Sequence, residues 1–222
     1  MSQRIHILVE GDTEDIFVRQ TLSPHFEGLG IYLNPIIVLT KRNDIVKAER
    51  GGYVPFDRLV NQLKRLLGDS SATAVTTFFD FYGMTRCFPD HLLVNEISGY
   101  QRVTQLEAIM ADEVGNHRFI PYLQLHEYET FLFVSPRNTA EILNSPENEL
   151  RIARVRQEFT SPEEINDDPT TAPSKRIAGI FAAYDKVFHG PRVALSVGLS
   201  TLRRECRHFD EWVTKLEKFR DE

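Results

Sequence analysis

The chain is poor in the residues that build extracellular scaffolds and metal knuckles: of 222 residues only two are cysteine, Cys87 and Cys206, far apart and in no CxxC spacing. That excludes a disulfide framework and a zinc-thiolate site, and both read as reduced thiols. No apolar run approaches the ~20 residues that span a bilayer. MSQRIHILVE has neither the apolar core nor the small-residue cleavage site of a signal peptide. The expectation is a cytoplasmic protein with no membrane partner. Positive charge is also scarce. The net charge is −6, so broad binding to duplex DNA through many neutralised phosphates is not expected of this chain alone. The deficit is uneven: residues 1–170 hold 16 Lys+Arg against 25 Asp+Glu, and residues 171–222 hold 10 against 7. A basic face near the C-terminus therefore stands beside the reading of TLRRECRHFDEWVTKLEKFRDE as an amphipathic helical tail with a solvated charged side. Nor does GxxxxGK[ST], GxGxxG, HExxH or GxSxG occur. Phosphate-loop nucleotide hydrolysis, a dinucleotide cofactor, a zinc protease helix and a nucleophile elbow all lose their sequence support. SVGLS, 196–200, reads as a glycine loop between helices, and the histidines other than His126 read as surface or packing residues.

What is present is an alternation of strand and helix. With 41% hydrophobic residues the chain can bury one sizeable core. Residues 4–9 (RIHILV), 31–39 (IYLNPIIVL), 73–80 (TAVTTFFD) and 119–125 (FIPYLQL) are β-branched and aromatic runs of strand length. Between them 14–27, 56–68 and 101–115 carry helical spacing, with Pro24 a sign that the first helix stops or kinks. This pattern predicts an α/β fold: a mostly parallel sheet with helices on both faces. Beyond 126 the strands cease. Residues 137–144, 147–159, 172–188 and 209–219 read as helices, with 161–173 a polar loop. The expected organisation is an α/β core over 1–135 and a C-terminal helical extension over 136–222 packed on it as one unit.

In such sheets ligands sit outside the carboxyl ends of the strands. The first predicted strand ends on Glu10, the third on Asp80, and the fourth runs into His126, Glu127, Tyr128 and Glu129. Carboxylates gathered at one edge raise each other's pKa values unless a cation holds them, and oxygen donors of this kind suit Mg²⁺ or Mn²⁺. Glu10, Asp80, Glu127 and Glu129 are the candidate ligands. Asp12, Glu14 and Asp15 also read as acids at a helix start, and Asn166, Asp167 and Asp168 as either a turn cluster or a metal-facing loop. Glu14, Tyr82, Asp167 and Asp168 are secondary candidates.

The segments VEGDTE, FFDFYG, LHEYETFLF and INDDPTTAPSKR together resemble an uncharacterised bacterial family with the Toprim (topoisomerase-primase) fold, over roughly residues 5–177. Members of that family often occur beside ATPases of antiphage defence. VEGDTE is similar to the glutamate signature after the first Toprim strand, and FFDFYG falls where such domains carry a D-x-D metal motif. Tyr82 departs from that motif, since a phenol is a poor Mg²⁺ ligand. The resemblance implies nuclease or related phosphoryl-transfer chemistry. Metal on Asp80 and one of Glu127 or Glu129 would polarise a phosphodiester, with Glu10 as general acid/base or further ligand. Lys175 and Arg176, at a predicted helix start, would hold the phosphate, and Lys175 would join Glu10 and Asp80 in catalysis. The implied partners are a nucleic acid, DNA or RNA, and an ATPase; a homo-oligomer stays open. The alternative is a non-catalytic Toprim-like module that senses an anion or nucleotide or docks on an ATPase.

Overall fold

Alternate residues of QRIHILV and AVTTFFD point to opposite sides of one sheet, and both sides are buried, as parallel strands require. A computed structural model describes residues 3–39, 54–84, 87–88, 98–165 and 170–220. Among these residues five parallel strands, β1 (Gln3–Val9), β2 (Ile31–Ile37), β3 (Ala74–Asp80), β4 (Phe119–Ile120) and β5 (Leu123–Gln124), lie in the order β2-β1-β3-β4, with β5 also on β3. The central register pairs Ile5 with Ala74 and Val9 with Phe78, which sets the ends of β1 and β3 side by side. The expected α/β class holds.

The sequence pattern departs from the structure where local chemistry interrupts an element. The strand expected over 119–125 is two short strands, because Pro121 has no N–H to donate to the ladder. Thr77 repairs the break: its hydroxyl donates to the Tyr122 carbonyl at 2.8 Å and accepts from the Tyr122 N–H at 2.9 Å. The helix expected over 14–27 starts at Asp12 and changes gauge. After α1 (Asp12–Phe17) comes a π turn, Val18–Leu22, and then α2 (Ser23–Glu27), with Ser23 N–H reaching Val18 O just before Pro24.

Two cores flank the sheet. On one side α3 (Phe56–Leu67) and α5 (Gly99–Val114) lay Leu59, Leu63, Val103, Leu106 and Met110 against Leu8, Val75 and Phe79. A short helix, α4 (Phe81–Met84), leads away from β3. On the other side Ile5, Ile7, Val9 and Phe78 meet Phe17, Phe131, Phe209 and Trp212. This second core draws on a late set of helices: α6 (Pro136–Ile142), α7 (Glu149–Gln157), α8 (Pro173–Ile180), α9 (Lys186–Val197), α10 (Leu199–Glu205) and α11 (Arg207–Glu217). The helix expected over 172–188 breaks in two, because Asp185 caps α9 by accepting the Phe188 N–H at 2.8 Å. The C-terminal tail also divides, at Cys206, whose extended backbone separates α10 from α11. Gly198, at φ +82°, makes the turn between α9 and α10. Both cysteines are buried free thiols, and among the described residues no helix is long and apolar enough to cross a membrane.

Trp212 ties the last helix to the sheet. Its ring stacks on Tyr122 at 4.4 Å and Phe78 at 5.6 Å, and its indole N–H donates to Thr76 Oγ1 at 2.8 Å. Trp212→Ala is expected to lower the unfolding free energy by about 3–5 kcal/mol, read as a fall in the urea midpoint. Trp212→Phe keeps most of the stacking and loses the hydrogen bond, so its loss should be nearer ~1–2 kcal/mol.

Candidate active site

The parallel register delivers Glu10 and Asp80 to the same edge. Glu10 follows β1, and its Oε2 accepts a long hydrogen bond, 3.4 Å, from the Asp80 N–H. Gly83 lies against that carboxylate: a Cβ there would stand in ordinary contact, 3.4 and 3.5 Å, with its two oxygens. Asp80 closes β3 with both oxygens engaged. Oδ1 accepts the Tyr128 N–H at 2.7 Å and Oδ2 accepts from Lys186 Nζ at 2.8 Å. Tyr128 opens a 3₁₀ segment, Tyr128–Phe133, whose next residue, Glu129, is buried.

Two further acids face the same ammonium. Glu14 in the first turn of α1 reaches back to the Gly11 N–H with Oε2 at 3.0 Å and turns Oε1 to Lys186 at 3.5 Å. Glu129 Oε2 lies 3.7 Å from Lys186, and its Oε1 accepts from the Tyr184 hydroxyl at 3.4 Å. Lys186 is the first residue of α9 and keeps 35% of its side chain exposed, while Asp80, Glu14 and Glu129 are nearly enclosed. Gly190, one turn on, lets α9 come this close: a Cβ there would meet Tyr128 Cε1 at 3.0 Å.

The electrostatics follow from burial. Desolvation, then repulsion from Asp80, pushes the Glu10 carboxyl up from 4.5 to about 8, and Lys186 only partly opposes this. Desolvation likewise raises Glu129 to about 7 and lifts Glu14. Burial pulls the Lys186 ammonium down, but Asp80, Glu129, Glu14 and Glu10 outweigh it and hold its pKa well above the ordinary lysine value.

The other candidates take different places. Glu127 lies beside the cluster but accepts the Ser174 N–H at 2.9 Å, so the α8 N-terminus expected to hold a phosphate is capped by this carboxylate. Lys175 is exposed in the first turn of α8. Arg176 turns toward α7: its Nε donates to Thr171 O at 2.7 Å, and its guanidinium lies 3.8 Å from Glu158 and 5.4 Å from the Phe159 ring centroid. Tyr82 is half-buried in α4 and donates its N–H to His126 O at 2.9 Å. Asp167 and Asp168 lie outside the described residues. Sequence reasoning missed Lys186, which sits in no recognised motif. The signal for it was indirect, since buried acids at a strand edge call for a cation and Lys186 follows a capping aspartate in the basic C-terminal quarter.

Among the described residues no three His, Cys, Asp or Glu are gathered closely enough to hold a metal ion as they stand. The cation among the acids is the Lys186 ammonium. The donors are nevertheless of the kind a divalent ion takes: Asp80, Glu14 and Glu129 each place a hard carboxylate oxygen within 4 Å of that ammonium, and Glu10 lies on the Asp80 side with its charge poorly compensated.

A family model described as "Domain of unknown function (DUF4276)" matches residues 9–217. The chain belongs to this family. No curated protein matches it. Among solved structures it is similar to the C-terminal region of the Burkholderia pseudomallei OLD protein, with 15% identity, a TM-score of 0.45 and coverage of 98% of this chain and 99% of that one. It is also similar to the C-terminal region of the Xanthomonas campestris pv. campestris OLD protein, with 17% identity, a TM-score of 0.43 and 97% of each chain covered.

Carboxyls raised on folding bind protons that the unfolded chain has released. Their stabilisation is present below 4.5 and is lost as pH rises toward about 8 for Glu10 and about 7 for Glu129. The metal-free protein should therefore show a urea midpoint that falls across this window. Glu10→Gln, which has no carboxyl to ionise, should flatten the fall; a wild-type midpoint that climbs between these limits contradicts the assignment.

Proposed function

We propose that this protein is a metal-dependent enzyme that cleaves phosphodiester bonds, a nuclease built on a Toprim-like α/β sheet. The observation that carries the reading is the convergence of Glu14, Asp80 and Glu129 on one ammonium, with Glu10 against Asp80, at the carboxyl edge of a parallel sheet. Lys186, partly open to solvent, meets the phosphate and offsets the negative charge that grows on it during displacement. Asp80 is oriented by the Tyr128 N–H and by Lys186. Glu10, raised to about 8, exchanges a proton near neutral pH and serves as general acid/base. Asp80 with Glu129 or Glu14 would hold Mg²⁺ or Mn²⁺, which would supply Lewis-acid polarisation of a phosphoryl oxygen. Lys175, exposed beside the Glu127-capped start of α8, contacts phosphate at the rim, with Arg176 behind it. The sequence resemblance supports a role in antiphage defence with an ATPase partner that contributes affinity.

A second reading, a non-catalytic module that senses an anion or docks on an ATPase, is favoured by the ammonium already seated among the acids and by Tyr82. Cleavage of single-stranded DNA, duplex DNA and structured RNA, with Mg²⁺ or Mn²⁺ and with or without a genetically adjacent ATPase, chooses between them. Glu10→Gln should lower turnover by roughly 10² to 10⁴ with the fold retained, and Lys186→Ala should lower it as well. If no combination yields metal-dependent cleavage, the second reading replaces the first.

A further inference from the structure

Aromatic side chains lead from the carboxylate cluster to the surface. The Tyr184 hydroxyl touches Glu129, and the Tyr184 ring stacks on His189 at 6.0 Å and 27°. His189 meets Phe181 edge-on at 5.8 Å and Phe188 edge-on at 4.9 Å. Phe188, two residues after Lys186, is 52% exposed, the one exposed phenylalanine among the described residues. The Arg192 guanidinium lies 3.8 Å from its ring centroid. Asp185, the acid of this segment, is engaged as the α9 cap. Single exposed apolar residues are ordinary; an exposed ring in contact with a cation, linked through His189 and Tyr184 to a buried charged cluster, combines the aromatic surface and positive charge that hold unpaired bases.

We infer that the 181–185 connection and the first two turns of α9 form a stacking platform for unpaired bases, so that the ligand of this edge is single-stranded nucleic acid. This deepens the proposed function and rests on it. A base stacks on Phe188 only when one of its faces is uncovered, which excludes the interior of a duplex. Arg192, held over the ring and donating to the Phe188 carbonyl, supplies a positive charge for the neighbouring phosphate. Asp80, Glu14 and Glu129 are recessed, with side-chain exposures of 9%, 4% and 3%, and a flexible single-stranded backbone can bend toward Lys186 where a stiff duplex cannot. DNA and RNA share this chemistry.

The test is binding without cleavage: anisotropy of labelled oligothymidine and oligouridine of about 12 nucleotides, and of a blunt duplex, at low salt with chelator. The full chain should bind the single strands more tightly than the duplex, and the ratio of the two single strands tells which sugar is preferred. Phe188→Ala should weaken single-strand binding roughly 5- to 150-fold. Phe188→Leu should behave like Phe188→Ala, and Phe188→Trp should bind like the wild type, which a merely structural role for the ring does not predict. Arg192→Gln should make the salt dependence shallower by about 0.7 in log–log slope. Duplex bound as tightly as single strands, Phe188→Ala binding like the wild type, or no oligonucleotide binding, as when the patch docks a protein, overturns the proposal. Single-strand binding lost in Phe188→Ala without metal-dependent cleavage in the wild type sinks the nuclease reading and leaves the platform. Equal cleavage of a single strand by wild type and Phe188→Ala does the reverse.

Discussion

The Lys186 ammonium is the charge on which the carboxyl edge of the sheet depends. Burying one carboxylate is costly, and burying several side by side adds mutual repulsion to desolvation. Glu14, Asp80 and Glu129 stay together because a fixed cation stands 2.8 to 3.7 Å from one oxygen of each. Holding that cation requires the whole start of α9: the Asp185 cap, the close approach allowed at Gly190, and the packing of α9 on α1 and the 3₁₀ segment. Glu10, farther from Lys186 and beside Asp80, is left under-compensated. That holds its carboxyl at about 8, where it takes up and releases a proton near neutral pH.

The sheet supplies the rigidity this arrangement needs. Both faces of β1 and β3 are buried, so a slip in register would move apolar residues from one packed core into the other and is strongly opposed. The aligned ends of the two strands place Glu10 against Asp80. Elements far apart in the chain secure the same strands: Thr77 closes the gap left by Pro121, and Trp212 reaches Thr76 from the last helix. The residues after 135 thus complete the core beneath the site and contribute Lys186 to it.

Local pattern made much of this legible. β-branched runs and helical spacing predicted an α/β sheet because each signal acts over a few residues: alternation along a strand, a stripe along a helix. The ends of β1 and β3 could be read in the same way, and with them Glu10 and Asp80, because a carboxylate closing an apolar strand is visible without knowing its neighbours. Pro121, Pro24 and Asp185 changed element boundaries that periodicity had run together, since a missing N–H or a capping carboxylate acts on a single hydrogen bond and leaves no periodic trace.

Only the tertiary structure decided which charges meet. Glu127 and Glu129 are equivalent in sequence, yet one caps α8 and the other faces Lys186, because the 3₁₀ turn between them sends their side chains different ways. Arg176 carries a charge suited to phosphate but is drawn to Glu158 and Phe159. Lys186 stands 106 residues from Asp80, and no local rule joins them. The sequence by itself determined the class of fold and the acids at its edge, since these rest on short-range hydrophobic order. The partner of those acids was settled by packing, because electrostatic complementarity in a buried site depends on distances of a few ångströms that only the assembled helices set.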